Sequence, residues 1–334
     1  MRFPAVVTAG DRGAAKAIYG QSKGYLEIEG RPLVAHVVAA LQRVPEVSEV
    51  WVVGDEERLR AVFASETLRR ELCKPLQLVP QLRNLYENAW GAYRRLLPGA
   101  GESGRDPEAA DLDTAVLYLS ADLPFVTPQE ISAFVREASQ LDCSYALGLV
   151  TEASMAEFLP TAPGEPGIRM ASFNLREGRF RQSNLHLVRP ARIVNRHYIE
   201  EMYRNRFQRE LGSIVSMAWR LLTSERGGLR VFYYFVLMHF AGVADRRGFP
   251  RLADALRRFA PLARIEACCS DLLRASFRLV VTQAGGSAID IDNEHDYDVA
   301  KLRFAEWSKT QAERAERLYG APALGPGNPE GSGL

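Results

Sequence analysis

Short apolar runs alternate with longer amphipathic stretches through the first half of the chain. The runs "AVVTA" (5–9), "EVWVVG" (49–54), "LQLVP" (76–80) and "AVLYL" (115–119) have the length and β-branched content of buried strands. Between them, "GRPLVAHVVAALQRV" places Leu33, Val37, Ala40 and Leu41 on one face with Pro32 near the first turn, which predicts a helix. "NLYENAWGAYRRLL" predicts another, with Asn84 as its cap. Strands separated by helices predict an α/β fold with a mostly parallel sheet and helices on both faces. After "CSYALGLV", the stretch "GIRMASFNLREGRFRQSNLHLV" reads as a hairpin turning near 176–178, so the sheet is expected to be mixed.

The pattern then changes. Ile199, Tyr203, Phe207, Leu211, Ile214, Ala218 and Leu221 recur at helical spacing, and the apolar run 231–244 reads as a buried core helix too short to span a membrane. Strand signals return at "FRLVVT" and "AIDID", followed by a helix over about 294–319. The expected organisation is a core of 1–194 plus 276–319, a helical insertion at 195–275, and a disordered Gly/Pro-rich tail at 320–334. The segment 98–111, rich in Gly, Pro and acid, is expected to be an exposed loop.

Composition narrows the function classes. The chain has 334 residues, with Lys+Arg 42 against Asp+Glu 41, so it has no bulk electrostatic footprint for nucleic acid. Its four cysteines form no CxxC pair and its five histidines have no metal-ligand spacing, which argues against a zinc site or a disulfide framework. With no signal-peptide pattern at the N-terminus, a reduced cytoplasmic setting is the expectation.

Three stretches carry candidate chemistry. The first is the loop after the first strand, with Gly10, Gly13 and Gly20 among the cations Arg12, Lys16, Lys23 and Arg31. Glycines let backbone amides approach phosphate oxygens, and the cations neutralise them. A plain strand-to-helix connection with solvated cations fits the local pattern about as well. The loop matches neither the dinucleotide fingerprint nor a P-loop. The second is "LYLSADLPFVTP", where Asp122 sits at a strand end. Pro124 and a capping box at Thr127, Pro128 and Glu130 stiffen the backbone after it. The third is "AIDIDNEHDYDVA". Asp290 and Asp292 fall on one side of a short strand, and Asn293 caps the next helix. Carboxylates from separate strand ends, Asp122 and Asp292, suit one Mg²⁺, which completes its shell with phosphate and water.

In this order these stretches resemble nucleotidyltransferases of the molybdenum-cofactor guanylyltransferase (MobA-like) type, whose relatives include sugar-phosphate and polyol-phosphate cytidylyltransferases. "TAGDRG" stands for the glycine-rich loop, "KGYLEIEGRPLVAHVV" for the lysine run, "SADLPFVTPQEI" for the D-x-P strand end, and "IDIDNEHDYDVA" for the late acidic segment. The resemblance implies a three-layer Rossmann-like, nucleotide-diphospho-sugar transferase (GT-A-like) fold with a mixed, mostly parallel sheet and a helical insertion.

It also implies transfer of an NMP from an NTP, CTP or GTP, to a small phosphorylated acceptor (sugar, polyol or cofactor phosphate). Pyrophosphate is released and Mg²⁺ is the cofactor. On this resemblance Lys23, Asp122 and Asp292 are catalytic, and Asp122 and Asp292 are the metal ligands. Ala9, Gly10, Arg12, Gly13, Lys16, Lys23, Asn84 and Asn88 hold the nucleotide, and Asn184 meets the acceptor. The chain departs from the pattern at Asp11, which replaces a loop glycine, and at Ala15, which stands where an arginine is usual. The rivals are a nucleotide-sugar-dependent glycosyltransferase of the related fold and a non-catalytic nucleotide-binding protein. The insertion is read as a cover for the core, an acceptor lid, or a membrane-surface or dimer face.

Overall fold

The sheet reverses its strand order at its first strand. The computed structural model describes residues 1–12, 17–160, 162, 164–170, 172–196, 198–199 and 228–321. Its strands are β1 (Phe3–Thr8), β4 (Val47–Gly54), β5 (Leu76–Pro80), β6 (Val116–Ser120), β7 (Tyr145–Thr151), β8 (Phe173–Leu175), β9 (Gly178–Val188) and β10 (Phe277–Thr282). They form one eight-stranded sheet in the order β10-β7-β9-β6-β1-β4-β5, with β8 pairing β9. The chain leaves β1 toward β4 and β5 on one side, then returns to place β6 on the other. Such a switch leaves a crevice beyond the carboxyl ends of the two strands. β1 is parallel to β4 and to β6, whereas β9 runs antiparallel to both β6 and β7, so the sheet is mixed and mostly parallel.

Period-two alternation sends neighbouring side chains to opposite faces. Ala5 and Val7 join Val50, Val52, Leu117 and Leu119 under α1 (Leu33–Gln42), α2 (Glu56–Phe63) and α5 (Pro128–Gln140). Val6 turns the other way, with Val53 and Val116, under α4 (Leu85–Leu96). Farther along that second face the helices Gly228–Arg246, Pro250–Arg257 and Leu262–Leu273 cover β7, β8 and β9. Leu237, Tyr234 and Met238 pack there against Leu149, Leu175 and Phe180. The outcome is a sheet between two helical layers.

Several expectations are modified. The segment 288–292 forms no strand, although its alternation survives: Ile289 and Ile291 are buried while Asp290 and Asp292 face the other way. The apolar helix Gly228–Arg246 is only half-buried, with Tyr233, Phe235 and Phe240 exposed. The loop 98–111 is anchored as well as exposed, because buried Asp111 accepts from Arg105 Nη1 at 2.6 Å and from Nη2 at 2.9 Å. Thr127 caps α5, but Glu130 does not close the box; its carboxyl is turned inward, to the loop after β10. The positions Tyr203 to Leu221 and the tail from 322 lie outside the described residues. Among the described residues no helix is long and apolar enough to cross a membrane.

One hydrophobic cluster decides where the site lies. Ile28 and Leu33 from the lysine run, Phe125 from the D-x-P stretch, and Ile289 and Ile291 from the late acidic stretch pack together. Trp307, on the C-terminal helix Glu294–Tyr319, meets Phe125 and Phe158 with ring centroids 5.5 and 4.9 Å away. A short hairpin of β2 (Glu27–Ile28) and β3 (Arg31–Pro32) presents Ile28 to this cluster. Its turn residues, Glu29 and Gly30, have φ of 51° and 68°, the two left-handed positions of a type I′ turn. Burying these side chains contributes roughly 1.5–3 kcal/mol each. Three segments distant in sequence are thereby held by apolar packing, and their polar ends are left to face one another.

Candidate active site

Lys23, Gly24 and Tyr25 form a 3₁₀ turn set into the crevice beyond β1 and β6. A Cβ on Gly24 would stand 3.4 Å from both the Ala9 and the Ala121 Cβ atoms, so this turn is wedged between the two strand ends. Tyr25 fastens it: its hydroxyl donates to Asp55 O at 3.3 Å and accepts from Asp55 N at 3.1 Å. Lys23 is therefore aimed across the crevice. Its Nζ donates to Asp292 Oδ1 at 2.6 Å and lies 3.8 Å from Asp122 Oδ2.

The late acidic segment reaches Asp122 through backbone contact. Ile291 N donates to the Asp122 carbonyl at 3.2 Å. Just upstream, a Cβ on Gly286 would meet the Phe125 carbonyl oxygen at 2.0 Å, so only glycine permits the two backbones to approach this closely. Glu130, fully buried, holds the same turn: Ser287 N donates to its Oε2 at 3.0 Å and Ser287 Oγ to its Oε1 at 2.6 Å. Arg181 on β9 holds the other side, donating from Nη2 to Asp290 at 2.6 Å and from Nε to Ala288 O at 2.8 Å. Asp290 thus belongs to an ion pair on the support, while Asp292 is turned toward Lys23.

The electrostatics follow from this crowding. Burial pushes the Asp122 carboxyl up to about 6; Lys23 opposes the rise, as does Ser120, whose hydroxyl donates to Asp122 Oδ1, while Asp290 and Asp292 reinforce it. For Lys23, burial pulls the ammonium down, but Asp122 and Asp292 outweigh it and the net shift is upward. Glu130 is pushed up to about 8 by burial, against the hydrogen bonds from Ser287 and Thr282.

The other expected nucleotide residues lie beside this cluster with different partners. Ala9 is buried, its N–H donating to Val53 O at 2.8 Å. A Cβ on Gly10 would meet Asn88 Nδ2 at 2.4 Å and Gln81 Oε1 at 3.1 Å, so these two amides form the wall of the loop. Asn88 is buried and its Oδ1 accepts from Leu82 N at 2.6 Å. Asn84 caps α4 by accepting from Glu87 N at 2.9 Å. Arg12 is exposed; Gly13 and Lys16 lie outside the described residues. Asn184, across the crevice on β9, donates to Ser287 O at 3.4 Å.

Gln81 was not foreseen. Its Oε1 accepts from Asp11 N at 2.8 Å and its Nε2 donates to Asp11 Oδ1 at 2.7 Å, while Arg58 stands 3.7 Å from Asp11 Oδ2. The acid that replaces a loop glycine is therefore hydrogen-bonded by an amide and lies within ion-pair reach of a guanidinium. The only hint in the sequence is that Gln81 directly follows the β5 run.

With this geometry in view, comparison with known proteins is informative. Residues 5–159 match the MobA-like NTP transferase domain. The chain carries that domain. It supplies β1 through β7 with Lys23 and Asp122, while Asp292 comes from outside the matched span. Over 56 residues the chain is 39% identical to 2-C-methyl-D-erythritol 4-phosphate cytidylyltransferase of Rubrobacter xylanophilus, a stretch that spans 17% of this chain and 23% of that relative. A solved structure of a hypothetical transferase from Thermus thermophilus is 22% identical and superposes with a TM-score of 0.52, covering 89% of this chain and 99% of that one. This likeness is one of fold alone.

Proposed function

We propose that the chain is a nucleotidyltransferase that moves an NMP from an NTP to a small phosphorylated acceptor and releases pyrophosphate. The observation that supports this best is the meeting of Lys23, Asp122 and Asp292 at the strand-order switch, from three segments joined by one apolar cluster. Asp122 and Asp292 are the donor set that Mg²⁺ takes when it keeps phosphate and water ligands: hard oxygens, few in number, on one side. These two residues would hold the ion, which when bound supplies charge neutralisation on the reacting phosphate.

The chain's own residues do the rest. Lys23 turns from Asp292 toward phosphate oxygens, so its charge moves from a carboxylate to the developing charge of the transfer. The loop at Gly10 faces the same phosphates, its shape kept by Asn88 and by Gln81, which accepts from the Asp11 N–H. The acceptor oxygen attacks the α-phosphorus in line from the Asn184 side, the bond to pyrophosphate breaks, and no enzyme-bound intermediate is required. Catalysis is positioning plus electrostatics. The Gln81 and Arg58 contacts to Asp11 weaken the case for a non-catalytic binder, which rested on an acid facing incoming phosphates.

The reading is tested by measuring pyrophosphate release from each of the four NTPs, with CTP and GTP foremost, against a panel of phosphorylated acceptors, with and without Mg²⁺. Mg²⁺-dependent release with one NTP and one acceptor class is expected. Release of a nucleoside diphosphate or monophosphate from nucleotide sugars, with no pyrophosphate from any NTP, would support a glycosyltransferase instead.

A further inference from the structure

Beside the charged cluster lies a cleft of a different character. It opens between α4, the ends of β1, β6, β7 and β9, and Pro190, Ile193, Arg196 and Ile199. Its inner end is polar and belongs to the reaction centre: Ser120, hydrogen-bonded to Asp122, and Asn184 both line it. Its walls are apolar and aromatic, formed by Leu85, Trp90, Tyr118, Tyr145, Ile193 and Ile199.

The hydroxyls of the two wall tyrosines, Tyr118 and Tyr145, have partners. The Tyr118 hydroxyl donates to Ala89 O at 3.4 Å, and the Tyr145 hydroxyl shares a 2.8 Å hydrogen bond with His186 Nδ1. The charged lining residue, Arg196, has its guanidinium 3.9 Å above the Trp90 ring. Against the Leu85, Ile193 and Ile199 walls a polyol would surrender hydrogen bonds to water that only the Arg196 edge and the inner end could return, and unpaired hydroxyls are costly when buried. An apolar body would lose nothing and gain contact with the rings.

Resting on the transferase reading above, we propose that the acceptor joins a phosphate, placed at Lys23 and Asp122, to an apolar body, aromatic or alkyl, that fills this cleft. The acceptor class is then an aryl or alkyl phosphate rather than a sugar or polyol phosphate.

Calorimetric titration of the full chain, without NTP, with phenyl phosphate, hexyl phosphate and glycerol phosphate tests this. Phenyl or hexyl phosphate is expected to bind at least tenfold more tightly than glycerol phosphate, and the better of the two identifies the body as aromatic or alkyl. Leu85→Gln and, separately, Ile193→Thr are expected to erase that preference while leaving glycerol phosphate affinity unchanged. Equal or tighter binding of glycerol phosphate overturns the proposal, as does a preference that survives both substitutions. The two readings fail separately. Preferential apolar binding with no pyrophosphate release from any NTP would sink the transferase alone. Efficient release with polyol phosphates and no apolar preference would sink the cleft alone.

Discussion

Two polar groups flank the crevice, and they are built on opposite principles. On one side Gln81, Asn88 and Asp11 satisfy one another and the backbone: amide meets amide, and a carboxylate meets an amide and a guanidinium. On the other side Lys23 stands between two carboxylates, and burial keeps one of them near 6. The first arrangement is a scaffold, because each group gains from the fold as it is. The second concentrates like charges at a strand end, a cost that persists only where the surrounding structure imposes it. Here the imposing structure is the apolar cluster around Phe125, Ile291 and Trp307. The contrast implies that substitutions in the cluster of charges remove turnover and spare stability, while substitutions in the anchor do the reverse.

The largest expected effect is on the charged side. Asp122→Asn should reduce turnover by about 100-fold or more with the thermal midpoint held or raised; steady-state pyrophosphate release and a melting curve check both halves. Lys23→Met should cost about 10-fold to 100-fold in kcat/KM, read from the same assay across NTP concentrations. On the anchor side Asn88→Ala leaves Leu82 N unpaired and opens space beside Gly10, so stability should fall by about 1–3 kcal/mol, measured by urea unfolding, with a smaller loss of kcat than in Asp122→Asn.

Glu130 belongs to neither side but supports the late segment, and its expected effect is a pH slope. Its folded pKa, about 8, lies above the ordinary carboxyl value of 4.5. The folded state therefore binds more protons than the unfolded state between those values, and the Glu130 contribution to stability is lost as pH rises through that window. In Glu130→Gln that part of the slope should vanish, so unfolding free energies of variant and wild type should draw apart steadily over this range. Parallel curves would show that the carboxyl is ionised in the fold. The smallest effect is expected from Asp11→Ala, about 0.5–1.5 kcal/mol in stability, since Gln81 retains its contact with the Asp11 backbone N–H in the variant.

The sequence made the charged side easier to read than the anchor. Lys23, Asp122 and Asp292 lie in stretches whose residue types and spacing suggested chemistry, and the structure brings their side chains together; the strand, turn and cap around each are local features. Thr127, Asn84 and Asn293 cap helices as their positions suggested. Gln81 and Glu130 were illegible for the opposite reason. Glu130 acts on Ser287, 157 residues away, and its local signature is that of a capping-box acid at a helix start. Tertiary burial overrode that local role. Likewise the "AIDID" alternation predicted a strand, yet the segment forms none: the Ile291 N–H donates to the Asp122 carbonyl and the apolar cluster takes Ile289 and Ile291. The aromatic cleft has no local signature at all, since its lining comes from α4, four strands and Pro190, Ile193, Arg196 and Ile199.

The central claim is that Asp122 and Asp292 act together on one divalent ion when an NTP is present. Titration of Mn²⁺ into the full chain with saturating non-hydrolysable CTP or GTP analogue, followed by water-proton relaxation, tests it without relying on turnover. The account predicts a strong enhancement from a protein–nucleotide–metal complex in the wild type, and its loss in both Asp122→Asn and Asp292→Asn. Unchanged Mn²⁺ affinity in either variant would contradict it.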